Sequence, residues 1–127
     1  MFPDTVTIFN VVDDKYNRQI VDNVFFIKEK IISQDGNGDK YTSSYRVIFS
    51  HEALKKYLNV EQYIASEDKN NIFTLKENDV VVLGVCDSIK GLKDLQNSYK
   101  EYFLIRSISD NRYGDAKLQN IEVTNWN

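Results

Sequence analysis

The chain has 127 residues, the size of one domain covering residues 1–127, and it carries a net charge of −3 at pH 7. Its 42% hydrophobic and 28% charged residues are typical of a globular domain and exclude a mostly disordered chain, a coiled coil and a membrane protein. The longest apolar runs cover four residues, far short of the ~18–20 that a membrane-spanning helix needs. The acidic balance argues against a broad nucleic-acid-binding face, which is usually basic.

The N-terminal residues and the cysteine content favour synthesis in a reducing compartment. Residues 1–5 contain neither the basic region nor the apolar region of a signal peptide. Cys86 is the only cysteine, which excludes a disulfide bond within one chain.

The composition and the first residue patterns predict a mainly β fold. Aromatic residues make up 13% of the chain, with eight Tyr and seven Phe, and such side chains suit a half-buried pleated surface. Residues 5–10 alternate polar and apolar side chains, which predicts a first strand with one buried face. A turn is expected at residues 13–17.

The next two strands form a predicted hairpin with a long tip. The second strand covers residues 23–32, and we expect its more apolar face, with Phe25 and Ile27, to point into the core. The third strand begins at Tyr41 or Ser43 and ends at Ser50. Residues 33–44 between them are rich in Gly, Asn and Asp, so we predict a flexible loop at the tip.

The second half of the chain mixes short helices and strands. Ser50 is a suitable N-cap for a short amphipathic helix over residues 50–58, residues 63–71 read as a surface segment, and a second short helix is predicted over residues 91–100. Further strands are predicted at residues 73–75, 79–84, 102–108 and 120–124.

Short strands separated by turns in this way predict a small antiparallel β-barrel or sandwich with one or two short helices. Its expected core consists of Val6, Ile8, Phe25, Ile27, Val47, Phe49, Val81, Leu83, Phe103 and Ile105.

The sequence offers little support for catalysis, and we expect neither an enzyme nor a cofactor or metal site. His51 and Cys86 are the only residues of their types, too few for a structural zinc site, and nothing local pairs them as a base and a nucleophile. Residues 35–39 have the spacing of the first calcium ligands of an EF-hand. However, Lys40 and Arg46 occupy the positions where that loop needs Gly and Glu.

An oligonucleotide-binding face is the main alternative drawn from the residues, because small β-barrels stack bases on exposed aromatic side chains. The aromatic candidates are Tyr41, Tyr45, Tyr99, Tyr102 and Tyr113, and the basic candidates are Lys28, Lys30, Lys40 and Arg46. The acidic balance of the chain opposes this interpretation.

The order of the segments resembles the small head–tail connector proteins of tailed bacteriophages, the head-closure or stopper group often described as minor capsid proteins. The resemblance rests on the opening Val-Thr-Ile strand, the Asp-rich turn and the glycine loop. It continues with the segments Tyr45-Arg-Val-Ile-Phe49, Phe73-Thr-Leu-Lys-Glu-Asn-Asp-Val80 and Tyr102-Phe-Leu-Ile-Arg-Ser-Ile108. Asn78-Asp79 stands where that group often has Gly-Asp, and Asn also tolerates a left-handed turn.

This resemblance implies a structural protein of the phage neck, made in the bacterial host cytoplasm and located in the virion. It would form a homo-oligomeric ring, a hexamer rather than a dodecamer, with portal or adaptor proteins above and tail terminator or tail tube proteins below. The ring would close the head, retain packaged DNA without sequence specificity and offer a surface to the tail. A neighbouring role as adaptor or tail terminator, or a monomeric module that binds an oligonucleotide or small ligand, is the alternative.

The resemblance also points to two sets of site residues. A loop between the second and third strands obstructs the channel in stopper proteins, which assigns gating to Gln34, Asp35, Gly36, Asn37, Gly38, Asp39 and Lys40. Large apolar residues at chain ends often anchor interfaces, so the predicted assembly interface includes Phe2, Pro3 and Trp126. A position of Phe2 and Trp126 against their own barrel is the alternative.

Overall fold

The computed structural model describes residues 3–35, 38–97 and 101–126, and about half of these residues lie in seven antiparallel strands. The strands are β1 (Asp4–Val12), β2 (Lys15–Asp35), β3 (Gly38–Phe49), β4 (Val80–Leu83), β5 (Tyr102–Leu104), β6 (Ser107–Asn111) and β7 (Asn120–Thr124). The described residues form only two short α-helices, α1 (Val60–Ala65) and α2 (Leu92–Gln96). The predicted mainly β class is therefore confirmed.

All seven strands belong to one sheet in the order β5-β4-β1-β2-β3-β7-β6. Its outer members, β5 and β6, are separated in the chain by only Ile105 and Arg106, so the sheet must curl until its two ends approach each other. The amide of Ile105 donates to the carbonyl of Asp79 at 2.9 Å, and the amide of Arg106 donates to the carbonyl of Thr124 at 2.8 Å. These bonds link the β4 side of the sheet to β7 and give it a barrel-like shape.

A bulge in β2 determines which side chains enter the core. Asp4 pairs with Val24 and Thr5 pairs with Asp22, so Asn23 is an additional residue with no partner in β1. Asn23 has a φ of 63°, a left-handed conformation that Asn tolerates better than most residues. The carbonyl of Asn23 accepts the Ser50 hydroxyl at 2.6 Å, which ties the bulge to the end of β3.

Because of this bulge, the prediction that Phe25 and Ile27 of β2 point into the core is wrong. Val24 is fully buried, whereas Phe25 is 40% exposed and Ile27 is only partly buried. The extra residue Asn23 shifts the inward and outward alternation of β2 side chains by one position. The face with Phe25 and Ile27 therefore points outward. Leu83 was also predicted in the core but is 39% exposed, because β4 ends at this residue.

The remaining core predictions are confirmed, and the buried side chains form two clusters. The cluster inside the curled sheet includes Val6, Ile8, Val47, Phe49, Val81, Phe103 and Ile105. The second cluster lies on the other face of β1 and β4, where Phe9, Val80 and Val82 contact Cys86 and Leu95. Leu95 belongs to α2, so the segment that contains α2 covers this outer part of the sheet.

The predicted helices are shorter than expected. A 3₁₀ turn over Ala53–Lys56 replaces the predicted helix at residues 50–58, although the Ser50 hydroxyl does accept the amide of Ala53. Helix α2 covers Leu92–Gln96 of the predicted 91–100 helix, whose residues 98–100 lie outside the described residues.

Two strand predictions also need correction. Residues 73–75 contribute only an isolated bridge between Phe73 and Tyr57. The predicted strand at residues 102–108 is interrupted at Ile105 and Arg106, because the chain changes its pairing partner from β4 to β7 there.

The segment predicted as a surface excursion contains a helix with a buried residue. Helix α1 covers Val60–Ala65, and Asn59 forms a capping box with Gln62. Tyr63 in this helix is fully buried. The charged residues Glu67, Asp68 and Lys69, which follow this helix, are the reason that the sequence indicates a solvated segment.

The flexible loop predicted at residues 33–44 is replaced by paired strands. The ladder between β2 and β3 continues through Ser33 with Lys40 and Gln34 with Asp39 to Asp35 with Gly38. Residues 36 and 37 lie outside the described residues. The Ser, Thr and Tyr residues at positions 41–45 are compatible with strands, and pairing with β2 outweighs the turn preference of the glycines.

Truncation of a side chain inside the curled sheet is expected to destabilise the protein strongly. Phe49 is fully buried, and Phe49→Ala should lower the free energy of unfolding by ~3–5 kcal/mol because it removes apolar contacts and leaves a cavity. Urea denaturation followed by circular dichroism measures the change. Leu118→Ala is the control, since Leu118 is 75% exposed; equal effects of the two substitutions would contradict the assigned core.

Candidate functional site

The most distinctive feature of the molecule is a two-stranded extension of the sheet. Strand β1 pairs with β2 only as far as Val24, and β7 pairs with β3 only from Arg46 to Phe49. Beyond these points, β2 and β3 pair with each other as far as Asp35 and Gly38. We call residues 27–35 and 38–45 the β-arm. With a rise of ~3.3 Å per residue it extends about 26 Å.

A polar and aromatic cluster fixes the base of the β-arm. The Lys28 ammonium and the Tyr45 hydroxyl donate to the two carboxylate oxygens of Glu101, at 2.7 Å and 2.9 Å. The hydrogen bond from Lys28 lowers the pKa of Glu101, and burial raises the pKa of Tyr45. The Tyr45 ring stacks on Phe103 with centroids 5.5 Å apart, and Phe26 contacts both rings edge-on. The arm therefore leaves the sheet in a defined direction.

Five of the predicted gating residues, 34, 35 and 38–40, lie at the distal end of the β-arm and continue the ladder between β2 and β3. The other two, residues 36 and 37, lie outside the described residues. The sequence places two acidic residues and one basic residue in this segment, Asp35, Asp39 and Lys40.

The predicted interface residues at the chain ends have different positions. Phe2 lies outside the described residues, and Pro3 is exposed. Trp126 is 44% exposed and borders a small cleft together with Ile27 and Arg46. Trp126 therefore lies beside its own sheet and also presents apolar surface to solvent.

Trp126 extends an apolar surface on the outside of the sheet. Phe25 and Ile48 are directly opposite each other in the ladder between β2 and β3, and Ile27 follows on the same side of β2. We call Phe25, Ile27, Ile48 and Trp126 the outer face. The alternation of residues in the sequence predicts Phe25 and Ile27 in the core, so this surface is not predicted; the tolerance of Asn23 for positive φ is the one signal in the sequence for the bulge that creates it.

A buried polar cluster, which the sequence analysis did not predict, lies where the chain enters β4. Asp79 is fully buried, and its carboxylate accepts the Asn10 amide at 2.7 Å and the backbone amide of Val11 at 3.0 Å. Lys76 forms an ion pair with Asp79. The Asn10 side chain also bonds the backbone of Thr74 in both directions, at 2.7 Å and 3.1 Å. This cluster joins β1 to the segment before β4.

Burial affects the titration of this cluster. It raises the pKa of Asp79 despite the hydrogen bonds from Lys76, Val11 and Asn10. It also raises the pKa of Tyr63 to about 12, with a further contribution from the Asp79 charge. The Asp79 carboxylate has its acceptor positions occupied by Asn10, Val11 and Lys76, so we assign the cluster a structural role.

The residues considered for catalysis do not form a site among the described interactions. His51 is exposed in a turn, whereas Cys86 is buried in the cluster between α2 and the sheet. Within residues 3–35, 38–97 and 101–126, no group of three or more His, Cys, Asp or Glu residues could hold a metal ion. No helix in the described part of the chain is long and apolar enough to span a membrane.

The three aromatic candidates for oligonucleotide binding whose side chains the structure describes lie in different surroundings. The Tyr45 ring is stacked on Phe103, Tyr102 packs against the cluster near α2, and Tyr113 is 76% exposed. The structure describes no side chain for Tyr41 and does not describe Tyr99. Lys28 is paired with Glu101.

Comparison with known proteins gives one match. The model of a family of unknown function, DUF6751, matches residues 1–125. No curated protein and no solved structure matches the chain.

Replacement of the Asp79 carboxylate by an amide is expected to destabilise the fold. Asp79→Asn keeps the shape but turns an NH₂ group towards the donor of Val11 or Asn10 and leaves that donor without its acceptor, so we expect a loss of about 1–3 kcal/mol. Urea denaturation measures this loss. Asp87→Asn, at an exposed position, is the control and should change stability by less than about 0.5 kcal/mol.

The pH dependence of the same variant provides a second check. Since the pKa of Asp79 is raised in the folded protein, the folded state binds more protons than the unfolded state between the two pKa values. The stability of the unmodified chain relative to Asp79→Asn should therefore increase as the pH falls through the raised pKa. A stability difference that decreases on acidification would contradict the assigned direction.

Proposed function

The chain belongs to the DUF6751 family of unknown function, and within that family we propose that it is a structural, non-enzymatic protein of the tailed-bacteriophage neck. In this role it forms a ring between the portal or adaptor and the tail, closes the head, retains packaged DNA and provides the surface to which the tail attaches.

The observation that carries this proposal is the position of the β-arm. In the head-closure proteins that the sequence resembles, the segment between the second and third strands projects into the channel. Here the same segment extends as the paired residues 27–35 and 38–45 beyond the rest of the sheet. A projecting element on a small β-barrel is what a ring subunit needs to reach its channel.

The outer face supports assembly rather than action as a monomer. Phe25 is 40% exposed and Trp126 is 44% exposed on the same outer part of the sheet, and clustered apolar residues on a surface mark protein contacts. A closed ring requires two different patches of each subunit to meet. The subunits are expected to form a hexamer, which matches the sixfold symmetry expected for the tail tube below.

The charges at the end of the arm are compatible with an obstruction that does not hold DNA tightly. Asp35 and Asp39 repel phosphate groups, and Lys40 supplies one attraction. A strongly basic collar would bind the duplex more tightly with each phosphate that it neutralises and would resist ejection.

The location of the protein in particles tests the proposed function directly. Purified virions of the phage that encodes the chain should contain it, and particles that lack it should have filled or leaking heads without tails. Mass spectrometry and electron microscopy provide the readouts. The absence of the chain from virions, or a purified monomer that binds an oligonucleotide with micromolar affinity, would contradict the proposal.

Trp126 is expected to contribute to assembly without being needed for folding. Trp126→Ala removes a large, partly exposed side chain and should reduce incorporation into particles at least tenfold, as is typical of interface anchors, while the melting temperature stays within a few degrees. Quantitative mass spectrometry of virions measures incorporation. Tyr113→Ala is the matched control because Tyr113 is also exposed. Full incorporation of Trp126→Ala would exclude this residue as an anchor.

Shortening the end of the β-arm should impair DNA retention. Ser33 pairs with Lys40, so replacing residues 34–39 by Asn-Gly keeps the register, whereas replacing residues 34–40 would move every later side chain of β3 to the opposite face. The shortened protein should fold and form rings but yield heads that lose DNA, measured as nuclease-sensitive DNA in particles.

The control for the shortened arm changes a different hairpin turn. Asp13 and Asp14, both with positive φ, can be replaced by Asn-Gly without altering the β-arm. Particles with the shortened arm that keep their DNA and infect as well as this control would assign the obstruction to another part of the ring.

A further inference from the structure

The loop between β6 and β7 is longer than a hairpin needs. Strand β6 ends at Asn111 and β7 begins at Asn120, and these two residues are paired in the ladder. The loop of residues 112–119 therefore leaves and re-enters the sheet at the same place; we call it the β6–β7 loop. Hairpin loops usually have 2–5 residues, and the turn between β1 and β2 consists of Asp13 and Asp14 alone. The additional length is not required to reverse the chain.

Hydrogen bonds at the surface fix the conformation of this loop, although none of its described side chains is buried. At its start, the Asp110 carboxylate accepts Nε and Nη2 of Arg112, at 2.9 Å and 2.8 Å. Further along, the Asp115 carboxylate accepts the amide of Lys117 at 3.0 Å, and the Asp115 carbonyl accepts the amide of Leu118 at 2.9 Å. The loop is therefore ordered by polar contacts rather than by burial in the core.

A contact with the body of the domain fixes the β6–β7 loop further. The Arg112 guanidinium lies over the Tyr57 ring, 4.8 Å from its centroid, and Tyr57 packs edge-on against Phe73 of the cluster inside the curled sheet. At Gly114, φ is 79°, which glycine adopts without strain, and the Gly114 carbonyl accepts the Gln119 side chain at 3.2 Å. Exposed loops are ordinarily mobile, so this set of contacts indicates a purpose beyond connecting β6 to β7.

The ordered loop presents two large apolar side chains to solvent. Tyr113 is 76% exposed and Leu118 is 75% exposed, the two highest values among the large apolar residues that the structure describes. Single exposed apolar residues are common on proteins, but here two share one fixed loop, and Tyr113 also lines an open cleft with Gln119. Tyr is enriched among the residues that dominate binding energy, and a loop that is already ordered loses little entropy on binding.

The β6–β7 loop lies at the opposite end of the β3–β7 ladder from the β-arm. Phe49 pairs with Ile121, next to the loop, whereas Arg46 pairs with Thr124, where the β-arm begins. In the proposed ring the arm points to the channel, so the loop is directed away from it. Trp126, the expected anchor for incorporation, follows Thr124 in the chain and lies near the base of the arm. The loop is therefore available to a different partner after incorporation.

We propose that the β6–β7 loop is the surface to which a tail protein attaches, with Tyr113 and Leu118 inserted into apolar pockets of that protein. Residues 110–119 contain two acidic and two basic side chains, a balance that gives little attraction for nucleic acid and favours a protein partner. The inference specifies the tail-attachment surface of the proposed neck ring and rests on that role for the identity of the partner. A second copy of the chain is the alternative occupant, which the test distinguishes.

Joining of heads and tails in vitro tests this surface. Filled heads without tails, from a phage that encodes the chain and lacks a tail gene, are mixed with purified tails, and plaque formation and electron microscopy count the joined particles. Heads with Tyr113→Ala or Leu118→Ala should contain the normal amount of the chain but join tails about tenfold less efficiently, as is typical of interface anchors. Ile64→Ala, at a position 53% exposed on α1, is the matched control and should join tails normally.

Crosslinking in joined particles identifies the protein that contacts the loop. A benzophenone amino acid replaces Lys117, which is exposed beside Leu118, and irradiation should join it to a tail terminator or tail tube protein, identified by mass spectrometry. The same probe at Ile64 should give few such products. A main product with a second copy of the chain, or with a portal or adaptor protein, would overturn the inference.

The order of the loop in the purified chain provides an independent check. Relaxation of ¹⁵N nuclei should give a backbone order parameter of about 0.85 at Tyr113, and a value below about 0.6 in Arg112→Ala. That variant loses the contacts with Asp110 and Tyr57 and should also join tails less efficiently, although Tyr113 and Leu118 are retained. A mobile β6–β7 loop in the unmodified chain would contradict the inference, which requires a fixed loop.

The possible outcomes separate this inference from the proposed function. Heads that contain the chain and join tails normally with both Tyr113→Ala and Leu118→Ala would keep the neck role and overturn the tail contact. Loss of folded variant chains from heads would assign the loop to the ring or to the portal side and would also overturn it. Absence of the unmodified chain from heads would refute the neck role itself and, with it, this partner.

Discussion

The bulge at Asn23 is the constraint on which the rest of the structure depends. Val21 and Val24 are both buried, although an uninterrupted strand would place residues three apart on opposite faces. Asn23, the left-handed residue between them, reverses which side chains of β2 point inward. The Ser50 hydroxyl donates to the carbonyl of Asn23 and holds it in place. Phe26 consequently points inward and Phe25 outward. A single backbone irregularity therefore supplies both the inner aromatic contacts and the apolar outer face.

Closure of the sheet determines where unpaired strand edges remain. Ile105 and Arg106 connect β5 to β6. The amide of Ile105 donates to Asp79, before β4, at 2.9 Å, and the amide of Arg106 donates to Thr124, in β7, at 2.8 Å. The two ends of the sheet are therefore adjacent at these two residues. Barrel-like closure removes the exposed edges that favour uncontrolled aggregation. Along the β-arm, β2 and β3 have no further partner among the described strands, although Asn125 bonds the backbone of Tyr45 and Ser43 near the base. The cluster of Lys28, Tyr45 and Glu101 at its base fixes the direction in which those edges point.

The sequence was sufficient for the fold class but not for the site, for identifiable physical reasons. The alternation of apolar and polar residues predicts the burial of Val6 and Val47 correctly because β1 and the part of β3 that pairs with β7 are regular. The same alternation fails at Phe25 because a single Asn is the only sequence feature of the bulge. The loop prediction at residues 33–44 is wrong because it gave more weight to the glycines than to strand pairing between β2 and β3. Asp79 was missed because carboxylates are rarely buried, and only the three-dimensional contacts with Asn10 and Lys76 explain its position.

A paired arm has a thermodynamic advantage over the flexible loop that the composition suggested. Ordering a loop on contact costs ~1–2 kcal/mol of backbone entropy per residue, whereas the ladder of residues 27–35 with 38–45 is already formed. A preformed ribbon avoids most of this entropic cost when it makes a contact. For this reason we assign the proposed obstruction of the channel to the distal end of the paired arm.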